Sequence, residues 1–280
     1  MRIGIVGLGL IGASMAKALT RLEHRVLGMD RDESTLKYAL LTGTVAEKLT
    51  EENLPSCDLL LLAVYPQAAV EILTRWAPRI SRSTLVMDLC GVKRAVCEPC
   101  FALAEKYGFP FMGGHPMAGR QFSGIKYADA DLFQGASMVL VPREGEDLFR
   151  VSGVSELMHR VGFAAVTVTT PEEHDRMIAY TSQLAHLVSN AYVLSPAAKG
   201  LRYFAGGSYR DLTRVAFLNE QMWTELFLEN GDLLGEELDR LLNRLTEFRD
   251  SLRQGDEERL KALLREGRER KEELDAEWKS

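Results

Sequence analysis

Three glycines spaced GxGxxG, at Gly7, Gly9 and Gly12, lie between an apolar strand pattern over residues 2–6 and a helical pattern that opens near Ile11. That placement restricts the fold severely. The first glycine permits a tight turn, the second lets backbone approach a pyrophosphate, and the third allows close helix packing. The helix N-terminus then offers free N–H groups and a positive dipole to phosphate. Asp30 closes the next strand pattern, eighteen residues after Gly12, where a carboxylate takes ribose hydroxyls. Gly7, Gly9, Leu10, Ile11, Gly12, Asp30 and Arg31 are therefore expected to bind a dinucleotide, joined by Ala63, Val64 and Tyr65 at a third strand end. A carboxylate at Asp30 repels a 2′-phosphate, so NAD is expected over NADP, with Arg31 softening the preference.

Strand-like runs recur at residues 2–6, 25–29, 58–64, 84–89, 109–112, 136–141 and 163–169. Helix-length amphipathic stretches, 13–22, 34–41, 68–76 and 94–107, lie between several of them. Each parallel crossover needs a helix-length connection, so the alternation predicts an α/β fold: a Rossmann-type, doubly wound, mostly parallel sheet with helices on both faces. After residue 169 strand patterns stop. Thr170 as N-cap, Pro171 at the first helical position and Glu172 and Glu173 in the first turn predict a helix start there. The expected domains are 1–170, dinucleotide-binding, and 171–280, helical. Leu184, Leu187, Val188, Ala191 and Leu194 fall on one helical face, which predicts a buried helix. Residues 251–280 carry eight basic and nine acidic residues and read as a solvated amphipathic helix.

The chain has 280 residues, room for roughly two domains. With 46% hydrophobic and 26% charged residues, disordered and fibrous classes are excluded. The longest apolar run, 59–64, is far short of the ~20 residues of a membrane span. The N-terminus runs straight into a strand pattern rather than a charged and then apolar leader, so a cytoplasmic location is expected. A net charge of -6 gives no general attraction to nucleic acid. Cys57, Cys90, Cys97 and Cys100 are too few for a disulfide framework, and reduced thiols are expected. Cys97 and Cys100 form a lone CxxC interrupted by Pro99, with no second pair or histidine cluster, and read as helix-packing residues rather than a metal site.

Ligands of open parallel sheets bind beyond the carboxyl ends of the strands. Those ends carry Gly7 to Gly12, Asp30, Tyr65 and Pro66, residues 88–93, and Gly113-Gly114-His115-Pro116. His115 is the candidate base, because an imidazole at the cofactor mouth suits hydride chemistry.

The chain resembles the tyrosine-biosynthesis dehydrogenases: prephenate, arogenate and cyclohexadienyl dehydrogenases. The resemblance covers nearly its whole length. It rests on Gly7-Leu8-Gly9-Leu10-Ile11-Gly12-Ala13-Ser14, His115-Pro116-Met117-Ala118-Gly119 and Ser182-Gln183-Leu184-Ala185-His186. Two further segments are Tyr209-Arg210-Asp211-Leu212-Thr213-Arg214-Val215-Ala216 and Met222-Trp223-Thr224-Glu225-Leu226-Phe227-Leu228-Glu229-Asn230. The resemblance implies a Rossmann domain followed by an all-helical domain that forms a homodimer. It also implies oxidation of prephenate or arogenate with NAD(P), losing carbon dioxide to give 4-hydroxyphenylpyruvate or tyrosine. No regulatory ACT domain or chorismate mutase domain is apparent.

By this resemblance His115 is the catalytic base, Arg214 binds a substrate carboxylate, and His186 faces the substrate side chain. Asp211, three residues before Arg214, is spaced to share its helix face and orient the guanidinium. The family commonly has a serine in an Asp-x-Gly-Ser-x-Lys loop, whereas this chain reads Asp88-Leu89-Cys90-Gly91-Val92-Lys93, with Gly91 at the serine position. Water, Cys90 or a changed substrate preference is left to compensate for the missing hydroxyl. Lys93 reads as either a solvated or a functional helix-start residue. His24, His159 and His174 read as structural or surface residues. A 3-hydroxyacid dehydrogenase is disfavoured, since no lysine stands between Pro171 and Ser195. A non-catalytic NAD-binding redox sensor would leave His115 and Arg214 without a role. The residues do not choose between prephenate and arogenate, because no acid is assignable to an ammonium.

Overall fold

The structure is a computed structural model and describes residues 1–120 and 122–277. Alternating apolar strands and amphipathic helices build one eight-stranded sheet, in the order β3-β2-β1-β4-β5-β6-β7-β8. The strands are β1 (Arg2–Val6), β2 (Arg25–Met29), β3 (Glu47–Lys48), β4 (Leu59–Leu62), β5 (Leu85–Asp88), β6 (Phe111–Met117), β7 (Ser137–Pro142) and β8 (Ala165–Val168). Every adjacent pair is parallel except β6 with β7. Among its described residues the link from β6 to β7 holds only a short turn of helix at Ile125–Tyr127, too little for a crossover, so the chain returns antiparallel.

Both faces of the sheet are covered. Leu59 and Leu61 of β4 pack with α1 (Leu10–Arg21) and α5 (Leu148–Val161) through Ala13, Met15, Leu19, Val154 and Met158. Leu60 and Leu62 face the other way, with α3 (Pro66–Trp76) and α4 (Arg94–Tyr107) through Leu73, Trp76, Val96, Cys97 and Cys100. The period-two alternation thus feeds two cores. Each buried Leu or Val stabilises the fold by about 1.5–3 kcal/mol. The remaining crossover helix is α2 (Glu33–Leu41).

Two departures from the sequence pattern stand out. β3 has two residues, both charged, and carries no apolar period to read. β6 runs on through Gly113, Gly114 and His115 to Met117, whereas the sequence pattern ends the strand at residue 112. Those glycines are there for close packing: a Cβ at Gly113 would lie 2.6 Å from Cys97 Sγ, and one at Gly114 would lie 2.7 Å from the Asp88 carbonyl. Cys97 and Cys100 are buried free thiols of the α4 packing face.

Beyond β8 the described residues are helical. Thr170 caps α6 (Pro171–Ile178), its hydroxyl accepting from the Glu173 N–H at 3.2 Å. A π-helical segment, Ala179–Leu184, joins α6 to α7 (Ala185–Val193), and α8 (Gly207–Thr213) and α9 (Glu220–Glu229) follow. The expected burial of the 184–194 face is only partly met. Leu184 is buried, Leu187 and Val188 are half-buried, and Ala191 and Leu194 are exposed, because the single chain supplies nothing to cover them. Residues Met1–Gly231 form one compact unit and Asp232–Ser280 a second, made of α10 (Gly231–Gln254) and α11 (Glu257–Glu277). An Arg244–Glu266 ion pair at 2.8 Å joins these two helices. The expected amphipathic segment is α11 with the end of α10; its last residues, Trp278, Lys279 and Ser280, lie outside the described residues. Among the described residues no helix is long and apolar enough to cross a membrane.

Lys93, at the head of α4, is fully buried rather than solvated. It pairs with the Asp88 carboxylate and donates to the Gly114 carbonyl at 2.8 Å, tying β5 to β6 beneath His115. Burial opposes its charge most, but Asp88, Cys97 and Cys90 together outweigh burial and raise the pKa. Asp88→Asn should therefore leave an uncompensated interior cation and cost about 3–5 kcal/mol. Urea unfolding at neutral pH measures this, and a loss below ~1 kcal/mol would show that the pair is not what holds this corner.

Candidate active site

The glycine-rich turn divides its labour as the spacing suggests. Gly7 has φ 88°, and a Cβ there would lie 2.4 Å from the Ala63 carbonyl; at Gly12 it would lie 1.9 Å from the Gly7 carbonyl. Both are glycine because backbone fills the space. A Cβ at Gly9 would meet nothing within 4 Å, so that face of the turn is open for a ligand. Gly9 is also the N-cap of α1 without a side-chain cap bond, whereas Asp32 caps α2 through the Ser34 and Thr35 N–H groups. Uncapped donors and helix dipole therefore point from α1 into open space.

Asp30 is fixed to the turn, its carboxylate accepting from the Leu8 N–H at 2.7 Å and the Asp32 N–H at 2.9 Å. Leu10, Ile11, Ala63, Val64 and Tyr65 are half-buried around the cradle and Arg31 is exposed. The donor set fits a dinucleotide: an open glycine, free N–H groups and an anchored carboxylate.

His115 is at the same end of the sheet, on β6. Its Nδ1 lies 2.9 Å from Nε2 of His174, whose Nδ1 lies 2.7 Å from the Asp175 carboxylate. Asp175 is fully buried and accepts from the Lys93 N–H at 2.7 Å and the Arg94 N–H at 2.8 Å, the first donors of α4. Burial pushes the Asp175 carboxyl up, but the His174 bond and these N–H groups outweigh it and hold it low. Burial, then His174 and Lys93, push His115 well below the usual histidine value. His174 is also lowered by burial, against the pull of Asp175.

The opposite wall is α9, locked by a polar chain. Arg94 donates to Asn230 at 2.8 Å, and Asn230 donates to Gln183 at 2.7 Å and to the Asp175 carbonyl at 2.9 Å. Gln183 in turn donates to the Leu226 carbonyl at 2.9 Å. A Cβ at Gly91 would lie 3.3 Å from a Leu226 methyl and 3.9 Å from His115 Nε2. Gly91 thus lies against both the Leu226 side chain and His115 Nε2, where even a Cβ would be tight against Leu226. The Cys90 thiol is buried and donates to the Val64 carbonyl at 3.4 Å.

Trp223, on the Leu226 face of α9, stacks on His186 with centroids 4.1 Å apart. His186 is lowered by burial, and the Arg214 charge lowers it further. Arg214 is exposed at the C-cap of α8. Among the described residues it forms no ion pair with Asp211. The orienting contact expected between them is absent because α8 ends at Thr213 and both side chains reach solvent, where an i,i+3 pair gains little. Glu225 accepts from the Gln67 N–H at 2.9 Å at the head of α3. Beside it Glu229, through burial and then Glu225, is pushed up to about 7.

The sequence model of the prephenate dehydrogenase nucleotide-binding domain matches residues 15–167, and that of the prephenate dehydrogenase dimerization domain matches residues 170–266. The chain belongs to the prephenate dehydrogenase family. It is therefore an oxidoreductase with a nucleotide-binding domain. A prephenate dehydrogenase of Lactococcus lactis subsp. cremoris is 29% identical over 276 residues, covering 95% of this chain and 75% of its own length. The Aquifex aeolicus prephenate dehydrogenase, solved with hydroxyphenyl propionate and NAD+, superposes with TM-score 0.85 at 27% identity, covering 98% of each chain. The Synechocystis arogenate dehydrogenase superposes with TM-score 0.82 at 29% identity, covering 98% of this chain and 100% of its own.

Within this family member the main residues missed from sequence are His174 and Asp175. His174, read as structural or surface, is buried and bonded to His115. An adjacent His-Asp in the first helix past the sheet was the available signal. Gln183, Trp223 and Asn230 fell inside resemblance segments without assigned roles. Gly9→Ala should keep the parent's stability within ~0.5 kcal/mol yet weaken NADH binding about tenfold or more, whereas Gly12→Ala should lower the melting temperature as well. Fluorescence titration beside thermal melts separates the two, and parent-like NADH binding by Gly9→Ala would rule out its open face as the phosphate approach.

Proposed function

We propose that the chain catalyses NAD-dependent oxidative decarboxylation of prephenate to 4-hydroxyphenylpyruvate in tyrosine biosynthesis. One observation carries the reading: a neutral imidazole, His115, has Nδ1 engaged by His174 and Nε2 on the Gly91 side, at the cofactor end of the sheet. Prephenate is a cyclohexadienol with two carboxylates. Its C4 hydroxyl must give up a proton as hydride leaves, and loss of the ring carboxylate as carbon dioxide then restores aromaticity. His115 Nε2 takes that proton. Arg214 takes a substrate carboxylate. Gly7, Gly9, Gly12 and Asp30 hold the dinucleotide, flanked by Leu10, Ile11, Arg31, Ala63, Val64 and Tyr65. NAD, when bound, supplies the hydride acceptor.

A second reading, arogenate as substrate, is favoured by His186. Its Nδ1 is 2.8 Å from the Ser182 carbonyl oxygen, which only accepts, so Nδ1 carries the ring proton. Burial holds the ring neutral, leaving Nε2 as an acceptor. An acceptor suits the ammonium of arogenate better than the keto oxygen of prephenate.

The helical part from residue 171 onward acts as substrate and dimerisation domain of a homodimer. Support comes from Leu194, Phe204, Phe217 and Leu228, which are 76%, 84%, 70% and 77% exposed, more apolar surface than a lone chain leaves open. Four unpaired, buried cysteines suit a reducing compartment, the cytoplasm.

Steady-state NADH production with prephenate and arogenate, each with NAD and NADP, tests the assignment. The prephenate reading expects the highest kcat/KM with prephenate and NAD, and a tenfold or greater preference for arogenate transfers the assignment to the second reading. No NADH or NADPH from any pairing overturns both. His115→Asn should bind NADH normally and lose about 10²–10⁴ in kcat.

The pH profile follows from the lowered pKa of His115. The base is present above its pKa, so activity should be flat near neutrality and fall only as pH drops through a limb below 6.5. A limb centred above that value would contradict the buried-base assignment.

A further inference from the structure

We infer that His174 and Asp175 position His115 as the base, forming a relay that keeps the lone pair on its outward nitrogen. This rests on the assignment of His115 as base. Asp175 is ionised: it sits on the first N–H groups of α4 and accepts from Lys93 and Arg94. A carboxylate only accepts, so His174 Nδ1 donates to it at 2.7 Å. His174, being neutral, then has its lone pair on Nε2, and His115 Nδ1 must donate to that atom at 2.9 Å. Both ring positions of His115 are thereby decided: proton on Nδ1, lone pair on Nε2 toward Gly91.

The same chain responds when His115 takes the substrate's hydroxyl proton at Nε2. The imidazolium's Nδ1–H donates more strongly to His174, and the Asp175 charge acts through that imidazole, with no second proton transfer needed. Other charges around the pair are Lys93 and Asp88, which neutralise each other, and Arg94, which holds Asp175 and Asn230. His174 and Asp175 touch His115 and α4 in this structure, so they act through His115 as positioning residues.

Nitrogen NMR of the ¹⁵N-histidine-labelled full chain with NADH bound reads the tautomer directly. The expected parent spectrum has a protonated Nδ1 and an unprotonated Nε2 on His115. His174→Gln keeps an oxygen that accepts from Nδ1–H, so it should retain the tautomer and recover kcat to within about tenfold of the parent. His174→Leu, which accepts nothing, should mix the tautomers and lower kcat by about 10²-fold or more, with the KM for NAD unchanged.

A parent spectrum with the proton on Nε2 overturns the relay, as does a folded Leu variant with kcat within about threefold of the parent. If the Leu variant does not fold, the parent spectrum and Asp175→Asn decide. The amide can donate to His174 Nδ1 and reverse both tautomers, so an unmoved His115 spectrum in that variant counts against the relay. The expected spectrum in a parent that oxidises neither prephenate nor arogenate sinks the proposed function and leaves the relay standing.

Discussion

A carboxylate in a protein interior must be surrounded by donors or it does not stay charged, and Asp175 makes this demand at the junction of sheet and helices. It is met by the free N–H groups that open α4, by His174 on its own helix, and by the Arg94 guanidinium at 3.3 Å. One buried charge thus fixes where α6 meets the sheet layer. Through its backbone carbonyl and Asn230 it fixes α9 as well. Leu226, which packs close to Gly91, is held by the same polar chain through its carbonyl.

The cofactor mouth depends on close backbone approach of a different kind. Gly7 and Gly12 fit because the first turn of α1 comes down onto β1 and β4, while Gly9 is left facing space. The same economy recurs at Gly113 and Gly114, where β6 is pressed against α4 and β5. Small residues at both places let the two halves of the site share one end of the sheet.

Much of this was legible in the sequence, for physical reasons that also explain what was not. Strand and helix periods are strong where whole faces are buried, as in β4 or α3, and the Thr170-Pro171 helix start is set by local capping chemistry. The run ending at residue 112 stopped short because Gly113 and Gly114 carry no apolar side chain to continue the strand pattern, although the backbone stays extended through them. The Asp211–Arg214 contact was inferred from spacing alone, which puts two side chains on one side of a helix but cannot hold them there in solvent. For His174 the adjacent Asp175 was a local signal of a paired imidazole, but nothing in the segment reveals the bond to a residue 59 positions away. The 184–194 face was read correctly as apolar, but a single chain does not cover it.

The energetics of the site turn on a conflict at His115. Burial keeps it neutral, which guarantees an available lone pair but makes the imidazole a weaker proton acceptor. A fixed negative charge in direct contact would cure the weakness and remove the neutrality with it. Asp175 stands one imidazole away, so its field at His115 is modest in the resting state and is delivered through a hydrogen bond that strengthens as the proton arrives. Stabilisation that grows with the developing charge lowers the barrier, whereas stabilisation already present in the ground state does not. Interposing His174 between acid and base is what separates the two.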